Sequence, residues 1–221
     1  MSTLAFDVYG TLIDTAGVVD ALSRFVGDRA KLFSDTWRAK QLEYSFRRGL
    51  MKNYRDFSVC TKDALEYACS AFQANISSDD KEKLLSGYQT LPTHPDVADA
   101  LSALQSDGHR LFAFSNGRSD DVERLLKHTG IDCFFLDIIS TDEVKSFKPN
   151  PEVYAHFLRR AGSVKGESWL VSGNPFDVIG AISAGMKAAW VKRSPGALFD
   201  PWGIEPTVTV DRLTALPIKI G

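Results

Sequence analysis

The chain predicts an α/β fold, a parallel sheet with a block of helices inserted after its first strand. Three observations lead there. A short apolar run, Leu4-Ala5-Phe6-Asp7-Val8, opens the chain and ends at a Gly10-Thr11 turn, as a buried strand does. From Thr15 to Leu91 the residues Ala, Leu, Arg, Lys, Glu and Phe recur at helical spacing and strand-like alternation is absent. Beyond Pro95, apolar runs alternate with helical stretches of about ten residues, the pattern of βαβ units.

In the helical block, Trp37, Gln41, Tyr44 and Arg48 share one spacing, and Leu65, Cys69 and Phe72 another. A helix over residues 96–106 then leads through Gly108 to a strand at 111–114. Ser115-Asn116-Gly117 follows, then a helix over Ser119–Thr129 that Gly130 stops. The alternation continues with a strand at Asp137–Ser140, a helix at 151–160, a strand at 169–171, a helix at 176–184 and a strand at 188–191. A last strand is expected at 207–210. Residues 1–14 and 92–221 therefore form the sheet domain, and residues 15–91 form a helical cap over one end of it.

Composition narrows the function. With 44% hydrophobic residues in 221, the chain can build a proper core. Lys and Arg number 26 against 28 Asp and Glu, with no basic block, which disfavours a nucleic-acid partner. No apolar run reaches the ~20 residues of a membrane span, and the first residues lack the pattern of a signal peptide. Cys60, Cys69 and Cys133 are widely spaced and form no CxxC, so neither a disulfide scaffold nor a zinc site is expected. The expectation is a soluble, cytoplasmic protein.

Ligands of open α/β sheets bind beyond the carboxyl ends of the strands. Four polar groups fall there: Asp7, Ser115-Asn116, Lys148, and the stretch from Ser172 to Asp177. Alone, Asp7 reads equally well as a turn residue, Lys148 as a solvated lysine, and Asn174 or Asp177 as a helix cap. Together at successive strand ends they describe one pocket. In it Asp7 suits a carboxylate nucleophile, kept ionised by Thr11 and nearby backbone amides. Lys148, in a loop stiffened by Pro149 and Pro151, would offset carboxylate repulsion and draw in an anion.

Over essentially its whole length the chain resembles the haloacid dehalogenase superfamily. The resemblance rests on FDxYGTL from Phe6, SNG from Ser115, KPxPxxY from Lys148 and SxNxxD from Ser172, in that order. It implies a Rossmann-like core. Within the superfamily the chain looks like the type II L-2-haloacid dehalogenases rather than the phosphatases. Phosphatases carry DxDxT, whose second Asp protonates the leaving group. Here Tyr9 holds that place, and a departing halide needs no proton. Their GDxxxD motif supplies a magnesium ligand where this chain has Gly173. The resemblance thus implies no metal and no cofactor.

It also implies roles. Asp7 would displace halide from a 2-haloacid, and water would hydrolyse the resulting ester to a 2-hydroxy acid of inverted configuration, haloacetates included. Thr11, Lys148, Ser172, Asn174 and Asp177 would surround the nucleophile and the water, with Lys148 and Asp177 positioning the water. Ser115 and the amides of Val8 and Tyr9 would hold the substrate carboxylate, near Tyr154. From the cap, the WRxKQLEY stretch brings Arg38, which would receive the halide with Asn116 and the rings of Tyr9, Phe57 and Phe176. The partner is a small halogenated carboxylic acid, and a homodimer is expected, with Leu32, Phe33, Leu42, Phe46 and Leu50 available for that interface or for the cap's own core. The alternatives are a small-molecule phosphatase of the same superfamily and a non-catalytic binding protein that keeps the fold.

Overall fold

A computed structural model describes residues 1–220 and gathers six parallel strands into one sheet. They are β1 (Thr3–Phe6), β2 (Arg110–Ser115), β3 (Asp137–Ser140), β4 (Ser168–Ser172), β5 (Lys187–Val191) and β6 (Val208–Val210). Their spatial order is β3-β2-β1-β4-β5-β6. The chain thus builds outward from β1 on one side, then crosses back and builds on the other. The crevice between β1 and β4 is the switch point where doubly wound sheets bind ligands. Phe6 lies opposite Val171 in the register, so Asp7 and Ser172 leave the sheet side by side.

The strands are almost wholly buried because helices cover both faces. Alternation assigns the side chains: Leu4 and Phe6 join Leu101, Leu125 and Leu216, whereas Ala5 joins Tyr154, Phe157 and Val178. The first face is covered by α5 (Val97–Ser106), α6 (Ser119–Thr129) and α9 (Leu216–Ile220), the second by α7 (Pro151–Ala161) and α8 (Pro175–Ser183). Asn150 caps α7 by accepting from the Glu152 amide at 2.9 Å, with Pro151 as its first residue.

Between β1 and α5 lie α1 (Val18–Val26), α2 (Ala30–Leu50), α3 (Phe57–Phe72) and α4 (Ser78–Gly87). The buried stripe of α2 runs through Phe33, Trp37, Gln41 and Ser45, four residues apart. Two of these reach α3: Trp37 Nε1 donates to the Thr61 carbonyl at 2.9 Å, and Gln41 Nε2 to Thr61 Oγ1 at 2.5 Å. Phe33 and Trp37 belong to the same buried cluster as Leu4 and Phe6, so the inserted helices share a core with one sheet face. The chain enters and leaves the insertion side by side. Asp14 N donates to the Pro92 carbonyl at 2.8 Å, and His94 N to that of Leu12 at 2.9 Å. Among the described residues no helix is long and apolar enough to cross a membrane.

Candidate active site

The first strand is shorter than the 4–8 expected from its apolar run, ending at Phe6. Asp7 N still bonds the Val171 carbonyl at 3.0 Å, but the amides of Val8 and Tyr9 find no partner among the described residues. Where the ladder stops, the Phe114 carbonyl, which Val8 N would reach in a continued parallel pair, accepts Lys148 Nζ at 2.8 Å. Two unpaired amides are left beside Asp7, where an anionic group can use them.

The Asp7 carboxylate is held unequally. Its Oδ2 accepts from Thr11 Oγ1 at 2.6 Å, Asn174 Nδ2 at 2.7 Å and Ser172 Oγ at 3.4 Å. Its Oδ1 has one partner, Lys148 Nζ at 3.1 Å. The carboxylate is therefore fixed by side chains and not by the backbone amides the sequence suggested. The amides nearby serve the holders: Gly173 N donates to Thr11 Oγ1 at 2.8 Å, and Asn174 N to Ser172 Oγ at 3.1 Å.

Lys148 is 1% exposed, and its three donors meet three acceptors, the third being Asp177 Oδ2 at 2.8 Å. Burial alone would push the ammonium's pKa down; the Asp177 and Asp7 carboxylates outweigh it and raise it. Asp177 is fully buried, and burial, with Asp7 adding to it, raises its pKa against the pull of Lys148. Tyr154 lies behind Asp177, itself buried, and donates to Asp177 Oδ1 at 2.8 Å. That arrangement orients the carboxylate, in place of the substrate contact expected for Tyr154.

Asn116 Oδ1 accepts from Lys148 N at 2.9 Å and Thr141 Oγ1 at 3.3 Å, which leaves Nδ2 as its free donor. Ser115 Oγ accepts from Gly117 N at 3.0 Å and keeps its own proton to donate. From α2, Arg38 Nη2 reaches the Tyr9 carbonyl at 3.4 Å, while Nη1 is held by Gln41 at 2.6 Å. Burial lowers the Arg38 pKa, against Tyr88 and Asp7. The Tyr9 phenol is driven well up by burial, and that of Tyr88, 6.4 Å away between ring centres, is pushed up to about 12.

A cleft of about 340 Å³ opens beside these residues, walled by Tyr9, Gln41, Phe57, Thr61, Tyr88 and Gly117. Asp7 is not part of its wall. The expected aromatic ring set is spread out: Phe57 packs against Phe147 at 6.1 Å, and Phe176 against Phe46 of α2 at 5.1 Å. Sequence reasoning missed Gln41, Tyr88 and the Phe114 carbonyl. Only Gln41 carried a signal, three residues from Arg38 on one helix face.

The donor set does not fit a divalent cation. Lys148 already bridges the two carboxylates, and a Cβ on Gly173 would overlap the Gly10 carbonyl oxygen, leaving no room for a third acid there.

A doubly wound sheet with a strand-end carboxylate, one oxygen clamped and the other left beside an ammonium, defines an α/β protein built around a candidate carboxylate nucleophile. The model of the haloacid dehalogenase-like hydrolase family matches residues 1–185, and the chain belongs to that family. It is 35% identical over 216 residues to haloacetate dehalogenase H-2 of Moraxella sp. (strain B), covering 98% of this chain and 96% of that one. It is 34% identical to (S)-2-haloacid dehalogenase 2 of Pseudomonas sp. (strain CBS-3), covering 97% and 93%. Among solved structures, the L-2-haloacid dehalogenase from Xanthobacter autotrophicus with chloropropionic acid covalently bound matches with a TM-score of 0.92 at 30% identity, over 100% of this chain and 98% of that one.

Proposed function

We infer that the chain is a hydrolytic dehalogenase that converts (S)-2-haloacids, and haloacetates with them, to (R)-2-hydroxy acids and halide without a metal. The observation that carries this is the asymmetry at Asp7: three donors hold Oδ2 while Oδ1 faces only Lys148. A carboxylate so held is oriented for in-line attack through its free oxygen. The names of the relatives supply the substrate class.

In the first step Asp7 Oδ1 attacks C2 from the side opposite the halogen, forming an ester as the carbon–halogen bond breaks. The free amides of Val8 and Tyr9, with Ser115 Oγ, hold the substrate carboxylate. Arg38, a permanent cation, and Asn116 Nδ2 receive the halide, with the ring edges of Tyr9 and Phe57 from the cleft wall beside it, while Phe176 stays packed on Phe46. In the second step water attacks Asp7 Cγ and gives its proton to Asp177, whose raised pKa suits a base. The acyl bond to Oδ1 breaks, Asp177 returns its proton to that oxygen as the hydroxy acid leaves with it, and Asp7 keeps a solvent oxygen and loses the remaining water proton to solvent. Tyr9 and Gly173 weigh against phosphoryl transfer: a buried phenol is a poor proton donor, and Gly173 cannot supply a metal ligand.

The same reading divides the chain into a core of residues 1–14 and 92–221 and a cap of residues 15–91, hinged where 12–14 and 92–94 run side by side. It places the protein in the cytoplasm, in keeping with three unpaired cysteines, and makes it a homodimer through apolar side chains left exposed on α2, Leu32 and Leu50. Incubation with each enantiomer of 2-chloropropionate in EDTA tests the activity. Halide release from the (S) form is expected; no release from it, or release only with added magnesium, overturns the proposal.

A further inference from the structure

Arg193, just past β5, ties together the segments that hold the nucleophile without touching it. Its Nε and Nη2 both donate to the Thr11 carbonyl, at 2.9 and 2.6 Å. Its Nη1 spans both oxygens of Asp96, at 2.7 and 2.9 Å, and Asp96 in turn accepts the Leu213 amide at 2.5 Å. The stem lies against the loop after β4, since a Cβ on Gly173 would sit 3.3 Å from Arg193 Cγ. Thr11 relays this grip, because its hydroxyl donates to Asp7 Oδ2 at 2.6 Å and accepts from Gly173 N at 2.8 Å.

We propose that Arg193 is a positioning residue for the displacement step: by clamping the Thr11 carbonyl it aims the Thr11 hydroxyl, and so fixes which way Asp7 Oδ1 points. This rests on the dehalogenase reading above. The geometry calls for a guanidinium, because one planar fork reaches the carbonyl with two donors and the carboxylate with a third. An ammonium serves one of those partners well and the other poorly. Arg193 also lines a second cleft, about 260 Å³, with Gly10, Arg38 and His94, so a solute can reach the space a shorter side chain leaves.

The experiment is chemical rescue on the full-length chain. Arg193→Ala should lose about ten- to a hundredfold in kcat on (S)-2-chloropropionate while KM moves less than about twofold, the cost of a small misplacement. Methylguanidinium sulfate at sub-denaturing concentration should restore a large part of kcat, and sodium sulfate of equal ionic strength should not. Arg193→Lys, which keeps a cation for Asp96 and covers the case that the alanine variant misfolds, should fall between wild type and Arg193→Ala and gain nothing from methylguanidinium. Wild-type kcat in either variant overturns the proposal, as does an alanine variant that rescue leaves unchanged. A wild-type protein that releases no halide overturns instead the function on which the proposal stands.

Discussion

Asp177 and Lys148 show how burial and charge divide the labour of one site. The ammonium is locked by three acceptors and has no donor to spare, and in the proposed mechanism the carboxylate whose pKa burial raises takes the proton from water. Asp177→Asn should therefore still form the ester but fail to hydrolyse it. Rapid-quench measurement should find about one halide per chain in the first turnover and a steady-state rate lower by at least ~100-fold. An unchanged steady-state rate would remove Asp177 from the mechanism. The wild-type pH profile has a determined sign. As pH falls through the raised pKa, Asp177 is protonated and kcat is lost, so the acid limb should lie above the usual aspartate range. Asp7, Lys148 and Asp177 were legible in the sequence because they stand in spaced motifs at strand ends. Tyr154 was legible as a site residue, yet its contact with Asp177 depends on how α7 packs across α8.

At the scale of elements, the loop after β4 is shaped by what it cannot contain. Gly173 faces the Gly10 carbonyl, Gly10 takes a φ of +80°, and the two turns pass so closely that a methyl group has no room. Gly173→Ala should lower the melting temperature by an amount equivalent to about 1–3 kcal/mol, read by thermal denaturation. A variant as stable as the wild type would show that the two turns can separate. Helices that signal their own ends were easily read: Ser119–Thr129 stops at Gly130, which adopts a φ of +71°. The buried face of α2 was not. Helical spacing of Trp37, Gln41, Tyr44 and Arg48 signalled a helix without saying which face is buried; packing buries Phe33, Trp37, Gln41 and Ser45, two of which bond Thr61 of α3.

For the molecule as a whole, the net charge of −2 would repel an anionic substrate, and the site counters it locally by setting Lys148 and Arg38 against Asp7 and Asp177. The outer surface carries a different message. Leu32 and Leu50 are 61% and 86% exposed on α2, and Met51 is 64% exposed just beyond it, while Phe33 is fully buried. Light scattering should give twice the 24.4 kDa chain mass, and Leu50→Glu should shift it toward one chain. A wild-type monomer at micromolar concentration would refute the dimer.

The sequence by itself determined the alternation of strands and helices, the helical insertion after the first strand, and the polar groups, Asp7, Lys148 and Asp177 among them, that meet at the strand ends. These are local properties, set by hydrophobic period, by turn and cap residues, and by motifs a few positions long. Tertiary structure alone decided which Asp7 oxygen is the less firmly held, that the Val8 and Tyr9 amides find no partner among the described residues, and that Arg193 grips the turn at Thr11. Those outcomes depend on groups more than a hundred residues apart competing for the same donors and acceptors. No window of sequence contains that competition; only the packed sheet brings it about.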